Sequence, residues 1–205
     1  CAGALFKLTS RDPDLSSQQE MAWAKQALDD ESWSVRESAV ALLGENEPTE
    51  IEHTPAVKRT ETPKPAAQPQ VVQLLVQAMD DAALPVRLTA MRSAVKVVRK
   101  TPQKNEQEQL KQSLRKRAES GLPEEQVVAA ASLLRIGDAS YRDTLHKGLR
   151  APELAVRRRA VAEADADAKL PSKLLVPLTT DQDFAVRFGA AALLVAQGQK
   201  KPALL

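Results

Sequence analysis

The sequence predicts an all-helical protein, an α-solenoid built from about five antiparallel helix pairs. Three observations predict it: a composition suited to packed helices, a segment that recurs five times, and apolar residues spaced at the helical period. Of the 205 residues, 43% are hydrophobic and only 3% are aromatic. Such a chain, rich in Ala, Leu and Val, suits closely packed helices better than sheets, which favour aromatic and β-branched residues.

The recurring segment begins with an acidic residue or a proline and continues with Val-Arg. An alanine follows three residues after the arginine, and a Leu-Leu pair follows in the longer copies. The arginine position is occupied in the five copies by Arg36, Arg87, Val128, Arg157 and Arg187. The last copies are spaced by about 30 residues and the first by more, which indicates a repeat architecture with insertions in its first half.

Within each copy the apolar residues fall on one side of a helix. In the first copy, Val35, Ala39, Leu42 and Leu43 form this stripe, and in the fifth copy Val186, Ala190, Leu193 and Leu194 do. Each copy therefore predicts the second helix of a pair. The first helices are predicted at 17–28, 70–79, 104–119, 140–149 and 171–178. Since no pair can bury its apolar side alone, stacking of pairs must supply the core.

These elements divide the chain into five segments. They are an N-terminal tether (1–15), a first helix pair (16–44), a proline-rich insertion (45–69), four further helix pairs (70–198) and a C-terminal tail (199–205). The five prolines of the insertion favour an extended, solvated chain. Both a flexible segment without a role of its own and a partner-binding arm are compatible with it. Three glycines near predicted helix ends, Gly44, Gly137 and Gly198, are expected to be C-caps.

The recurring Asp…Val-Arg-x-x-Ala pattern resembles the HEAT-repeat family, in particular its short bacterial form related to phycobilin lyase-type repeats. The resemblance covers about residues 16–198 and implies a right-handed α-solenoid. It also implies that the aspartate caps the second helix and that the arginine pairs with the next repeat. The structural ladder implied in this way comprises Asp30, Arg36, Asp81, Arg87, Arg157, Asp181 and Arg187. Val128 should interrupt it in the third copy.

The start of the sequence, Cys1-Ala2-Gly3, resembles that of a mature bacterial lipoprotein. This predicts a lipid on Cys1 and a periplasmic protein held at the outer membrane, because Ala2 is not the aspartate that often retains lipoproteins at the inner membrane. A signal peptide ahead of Cys1 would be the proof. The alternative is a chain boundary that happens to fall at a cysteine. The lack of any other cysteine suits an oxidising compartment.

Residues that could carry catalysis are few. His53 and His146 lie far apart in sequence, and no phosphate-binding loop, zinc-ligand spacing or nucleophile elbow is present. The acidic run 163–167 is interpreted as a solvated turn, because a metal site there is the less frequent outcome. We therefore expect no enzyme, no cofactor, no metal and no small-molecule substrate.

Basic clusters support the competing interpretation, a cytosolic nucleic-acid-binding protein. The clusters are Lys96 with Arg99 and Lys100, Lys111 with Arg115–Arg117, and Arg157–Arg159. However, the net charge is only +2, and acidic neighbours dilute the local field. Trp23 and Trp33 are expected in the core or at a helix cap, so they would not stack on bases.

The preferred prediction is a non-catalytic scaffold or adaptor lipoprotein that binds a protein partner at the bacterial envelope, within a larger assembly. The second helices would offer the partner a concave face. Exposed polar positions proposed for this face are Glu37, Arg92, Arg158 and Gln197. Binding of nucleic acid is not expected in this interpretation.

Overall fold

The computed structural model describes residues 17–45 and 69–198. Within these stretches there are ten α-helices and no strands. The helices are α1 (Ser17–Leu28), α2 (Trp33–Glu45), α3 (Pro69–Ala78), α4 (Leu84–Lys100), α5 (Lys104–Ser120), α6 (Pro123–Arg135), α7 (Arg142–Leu149), α8 (Leu154–Glu163), α9 (Ser172–Leu175) and α10 (Phe184–Ala196). The predicted all-α class of HEAT-like helix pairs is confirmed.

The described residues fall into two compact units, with the boundary after Leu110, inside α5. In the first unit, α2 packs on both α1 and α4. Val35 and Ala39 of α2 are buried against Ala27 of α1. The apolar stripe read from the sequence therefore forms the contact between the two helices of the first pair.

In the second unit a cluster of buried aliphatic side chains joins α6, α7, α8, α9 and α10. Its members include Val127, Leu145, Val156, Leu175 and Val186. The first helix of the last pair is short: α9 ends after one turn and continues as a 3₁₀ helix (Val176–Thr180). Pro177 explains this, because a proline lacks the N–H that an α-helix needs at that point.

Equivalent positions of the repeats share one environment. Val35, Val86, Val156 and Val186, each directly before a repeat arginine, are all buried. The alanines three residues after the arginines, Ala39, Ala90, Ala160 and Ala190, are each 0% exposed. The side chain at this place is thus small because another helix lies directly against it.

Two of the three predicted glycine caps have the backbone expected of them. Gly137 and Gly198 have φ values of +92° and +79°, the left-handed conformation that glycine adopts after a helix. The prediction for Gly44 is wrong, since Gly44 lies inside α2. A Cβ added at Gly44 would lie 2.7 Å from Cβ of Ser93 on α4, and the Ser93 hydroxyl donates to the carbonyl of Val40 at 3.0 Å. Gly44 therefore allows α2 and α4 to approach closely.

This contact makes Gly44→Ala a test of the helix packing. Alanine is the better helix former by about 1 kcal/mol, yet the overlap with Ser93 should lower the free energy of unfolding by about 1–3 kcal/mol. Urea denaturation measures the effect. In a Ser93→Gly background the cost of G44A should shrink by at least about 0.5 kcal/mol, and equal costs in the two backgrounds would contradict the packing.

Candidate functional site

Each repeat arginine closes the turn in front of its own helix. Arg36 donates from Nη1 to the carbonyl oxygens of Asp30 and Glu31 at 2.8 and 3.0 Å. The other three repeat arginines, Arg87, Arg157 and Arg187, make the same two bonds, to the carbonyls six and five residues earlier, at 2.7–2.9 Å. One guanidinium nitrogen thus satisfies two carbonyls that the helix leaves unpaired.

The opposite edge of the guanidinium reaches the next repeat. Arg36 donates from Nε and Nη2 to the two carboxylate oxygens of Asp81, at 2.7 and 3.0 Å. Arg157 does the same with Asp181, at 2.8 and 3.4 Å. The structure thus brings together two Arg–Asp pairs of the ladder implied by the sequence, and both are two-pronged contacts of the kind that fix geometry as well as charge.

The aspartates do not cap the second helices, contrary to what the resemblance implied. Asp81 accepts from the backbone N–H of Ala83 at 2.7 Å, and Ala83 itself stands at the N-cap of α4. Asp181 likewise accepts from the N–H of Asp183 at 2.9 Å, and Asp183 is the N-cap of α10. The aspartate closes a turn two residues ahead of the cap, which orients its carboxylate for the arginine.

The hydrogen bond from Arg36 lowers the pKa of Asp81, against the effect of burial. At Asp181 burial raises the pKa, but the hydrogen bonds from Arg157 and from the backbone outweigh it, so the net direction is also down. In the third copy Val128 is fully buried and has no charge to contribute. The fourth copy has Ala151 in place of the aspartate. Neither residue can form this pair.

The acidic run 163–167 is not a solvated turn, and that interpretation is wrong. Arg135 binds Glu163 and Asp165, at 2.6 Å each. Asp167 is buried and binds Arg142 at 3.1 Å and Nε2 of His146 at 2.8 Å. Burial raises the pKa of Asp167, yet these hydrogen bonds lower it below its usual value. Within residues 17–45 and 69–198 no group of side chains is arranged to hold a metal ion.

The basic cluster Arg157–Arg159 is neutralised by carboxylates. The pairs are Arg157 with Asp181, Arg158 with Asp183 and Arg159 with Glu124. In the second cluster, two arginines are paired as well, Arg115 with Asp138 at 3.2 Å and Arg117 with Glu125 at 3.4 Å. A phosphate would have to compete with these partners, which weakens both clusters as a nucleic-acid surface.

The polar residues proposed for a partner-binding face are mostly engaged inside their own unit. The contacts are Glu37 with Thr89 Oγ1 at 3.0 Å, Arg158 with Asp183, and Gln197 with the carbonyl of Leu170 and the hydroxyl of Ser172, at 2.9 and 2.8 Å. Arg92 is half-buried. These side chains join neighbouring helices, so they are poor first candidates for a partner.

Aromatic side chains are better candidates for binding a protein partner. Every Trp and Phe that the structure describes is exposed: Trp23 by 37%, Trp33 by 48%, Phe184 by 69% and Phe188 by 61%. The prediction of a core position is therefore wrong for both tryptophans, while Trp33 does stand at the start of a helix, α2. The rings of Phe184 and Phe188 stack with centroids 5.9 Å apart, and the Arg187 guanidinium lies over Phe184.

An alignment of the repeats contains a signal for these exposed positions. Trp33 and Phe184 both stand three residues before a repeat arginine and begin their helices, as Leu84 and Leu154 do in other copies. A side chain at the first position of the second helix lies at the end of the helix pair, which we call its tip, where the rest of its own helix cannot cover it. Cys1, His53 and nearly all of the insertion lie outside the described residues. None of the helices described is long and apolar enough to cross a membrane.

The fold and the ladder contacts define the described part of the chain as an all-helical, HEAT-like repeat protein. Among solved structures, the chain is similar to the crystal structure of YibA from Escherichia coli, a HEAT-like helical protein, with a TM-score of 0.55 and 16% sequence identity. The match covers 96% of this chain and 75% of YibA. At this identity the likeness shows the fold alone. No family model and no curated protein matches the sequence.

The Arg36–Asp81 pair predicts how the free energy of unfolding depends on pH. Because the folded pKa of Asp81 lies below its unfolded value, its contribution is complete above the unfolded pKa, about 4, and is lost as the pH falls through the folded pKa. Asp81→Asn should lower the free energy of unfolding at pH 7 by about 1–3 kcal/mol and flatten its decline below about pH 4. Urea titrations at several pH values measure both. Asp29→Asn, at an exposed position of the same unit, is the control, and an equal acid slope in D81N and wild type would contradict the assignment.

Proposed function

We propose that this chain is a non-catalytic scaffold or adaptor that binds a protein partner through exposed aromatic side chains. The observation that carries the proposal is the reversal of the usual distribution: the core is aliphatic, while all four described Trp and Phe side chains are exposed. Exposed apolar area costs free energy in water. Trp, Tyr and Phe are enriched at protein interfaces, and Trp and Tyr dominate their binding energy.

The first helix pair offers the clearest docking element. Trp33 begins α2, and the two bonds from Arg36 to the carbonyls of Asp30 and Glu31 hold the turn directly ahead of it. Trp23 lies on α1 at the edge of the buried side that Met21, Ala24 and Ala27 form, and it is 37% exposed. A ring on a rigid backbone loses little conformational entropy on binding, which favours affinity.

We further propose that the scaffold works at the bacterial envelope, anchored to the outer membrane by a lipid on Cys1, as a component of a larger assembly. This part rests on the resemblance of Cys1-Ala2-Gly3 to mature lipoproteins. The alternative, a cytosolic nucleic-acid-binding protein, has less support because carboxylates already occupy Arg115, Arg117 and Arg157–Arg159. Retention on a DNA column at low salt would favour that alternative.

The docking role predicts a selective loss of partner. Trp23→Ser/Trp33→Ser should reduce the yield of a cross-linked partner in the native host at least tenfold, since each ring supplies about 1–3 kcal/mol of binding. Gln26→Ser, at an exposed position of α1, is the matched control and should keep the cross-link. Circular dichroism and urea denaturation verify that both variants fold. An undiminished cross-link in the double variant would remove the tryptophans from the proposal.

The envelope location has its own test. Mass spectrometry of the protein purified from its native host should find Cys1 at the mature N-terminus with diacyl or triacyl modification. Cys1→Ser should lose the modification and leave the membrane fraction. Residues upstream of an unmodified Cys1 in the mature protein would overturn the envelope location while leaving the docking role untouched.

A further inference from the structure

The repeats have two sides with different contacts. On the downstream side, the repeat arginine and the residues one, four and eight places after it meet the following repeat. Arg36 binds Asp81, Glu37 binds Thr89, the Val40 carbonyl accepts from Ser93, and Gly44 lies against Ser93. The last two repeats use the same downstream places, with Arg157 on Asp181, Arg158 on Asp183 and Val161 against Gly189, although Asp183 and Gly189 are not the equivalents of Thr89 and Ser93.

In the last repeat the same four places form a surface that we call the downstream face, made of Arg187, Phe188, Ala191 and Val195. Phe188 and Val195 are 61% and 59% exposed and lie on one side of α10, whereas Ala191 between them is 5% exposed. Two of the places that meet the next helix pair in the other repeats are thus exposed and apolar on α10.

Arg187 makes only part of the contacts of a ladder arginine. Its Nη1 donates to the carbonyls of Asp181 and Gln182, as in the other three repeats that carry the arginine. Its Nε and Nη2, the atoms that in Arg36 and Arg157 bind the aspartate of the next repeat, have no acceptor among the described residues. The guanidinium is thus held in the orientation of a ladder arginine, with its outer edge available.

The first repeat presents the complementary group. Asp30 stands in the place of Asp81 and Asp181, and its Oδ1 accepts from the N–H of Ser32 at 2.8 Å, as those aspartates accept from the residue two places on. No arginine or lysine in the described part of the chain forms an ion pair with this carboxylate. Ser38 and Leu42 occupy the places at which Thr89 and Ser93 receive the preceding repeat, and both are half-buried. We call Asp30, Ser38 and Leu42 the upstream face.

We propose that the downstream face of one copy binds the upstream face of a second copy, with Arg187 of the first pairing with Asp30 of the second. Phe188 and Val195 would pack on Ser38 and Leu42, which stand in the places of Thr89 and Ser93. Because Val195 and Leu42 are larger than Gly44 and Ser93, the two helices would lie further apart than α2 and α4 do. The opposite charges of Arg187 and Asp30 specify the orientation and the register. A second copy is the occupant because this same chain carries the missing aspartate, already oriented by Ser32.

A contact of this kind is head-to-tail, so each dimer keeps one open face of each type and can add further copies. This distinguishes it from a symmetric dimer, in which both copies use the same surface. The distinction gives a test by mixing. A variant with a blocked upstream face and a variant with a blocked downstream face each lack one half of the contact, and together they retain one complete contact.

The test uses the full chain, kept reduced so that Cys1 cannot form a disulfide, in sedimentation velocity over a concentration series. Wild type should self-associate, and Asp30→Lys or Phe188→Lys alone should weaken association at least tenfold. An equimolar mixture of D30K and F188K should form dimers that grow no further. Val195→Lys is a second downstream variant in case F188K folds poorly. Val176→Lys, at an apolar position outside α10 with 53% exposure, is the matched control and should associate like wild type.

Two results would overturn the proposal. A wild type that stays monomeric over the whole series would show that this end does not bind a second copy. Wild-type association with no dimer in the D30K and F188K mixture would show that the copies meet through a different surface. Raising the salt concentration should weaken the wild-type contact, because the Arg187–Asp30 pair lies partly in solvent.

Discussion

The guanidinium of the repeat arginine is the group on which the rest of the structure depends. One nitrogen of Arg36 or Arg157 binds two carbonyls of its own turn, and the opposite edge binds an aspartate of the following repeat. A lysine could not do both, because its single ammonium lacks the planar, divided set of donors. The same side chain therefore shapes the turn within a repeat and sets the register between two repeats.

The third copy shows which of these two tasks is indispensable. With Val128 in the arginine place, the turn ahead of α6 is closed by other side chains. Glu125 accepts from the N–H of Leu122 at 2.8 Å, and Gln126 donates to the carbonyl of Gly121 at 3.0 Å. The backbone groups of the turn thus still form hydrogen bonds, but Val128 forms no pair with an aspartate of the next repeat. Closing the turn is the constraint that every copy meets, whatever residue stands in the arginine place.

The sequence predicts the features that depend on local periodicity. The buried stripe that includes Val35 and Val186 follows from helical spacing alone, and so does the pairing of helices. It does not predict what lies opposite a given side chain. The run 163–167 reads as a solvated turn until Arg135, Arg142 and His146 are brought against it by tertiary packing. Gly44 reads as a cap for the same reason, because only the position of Ser93 reveals the close approach of two helices.

The exposed aromatic residues follow from the packing of the aliphatic core. Alanines such as Ala39 and Ala190 are completely buried at the contact between helices, and an indole or phenyl ring at such a place would force the helices apart. Large rings stand instead at places that no described helix covers: the first position of a helix for Trp33 and Phe184, and the downstream face of α10 for Phe188. Those are the places that another protein can reach. The close spacing of the helices therefore has two consequences: small side chains fill the contacts within the chain, and the aromatic rings are left exposed, where a second protein could contact them.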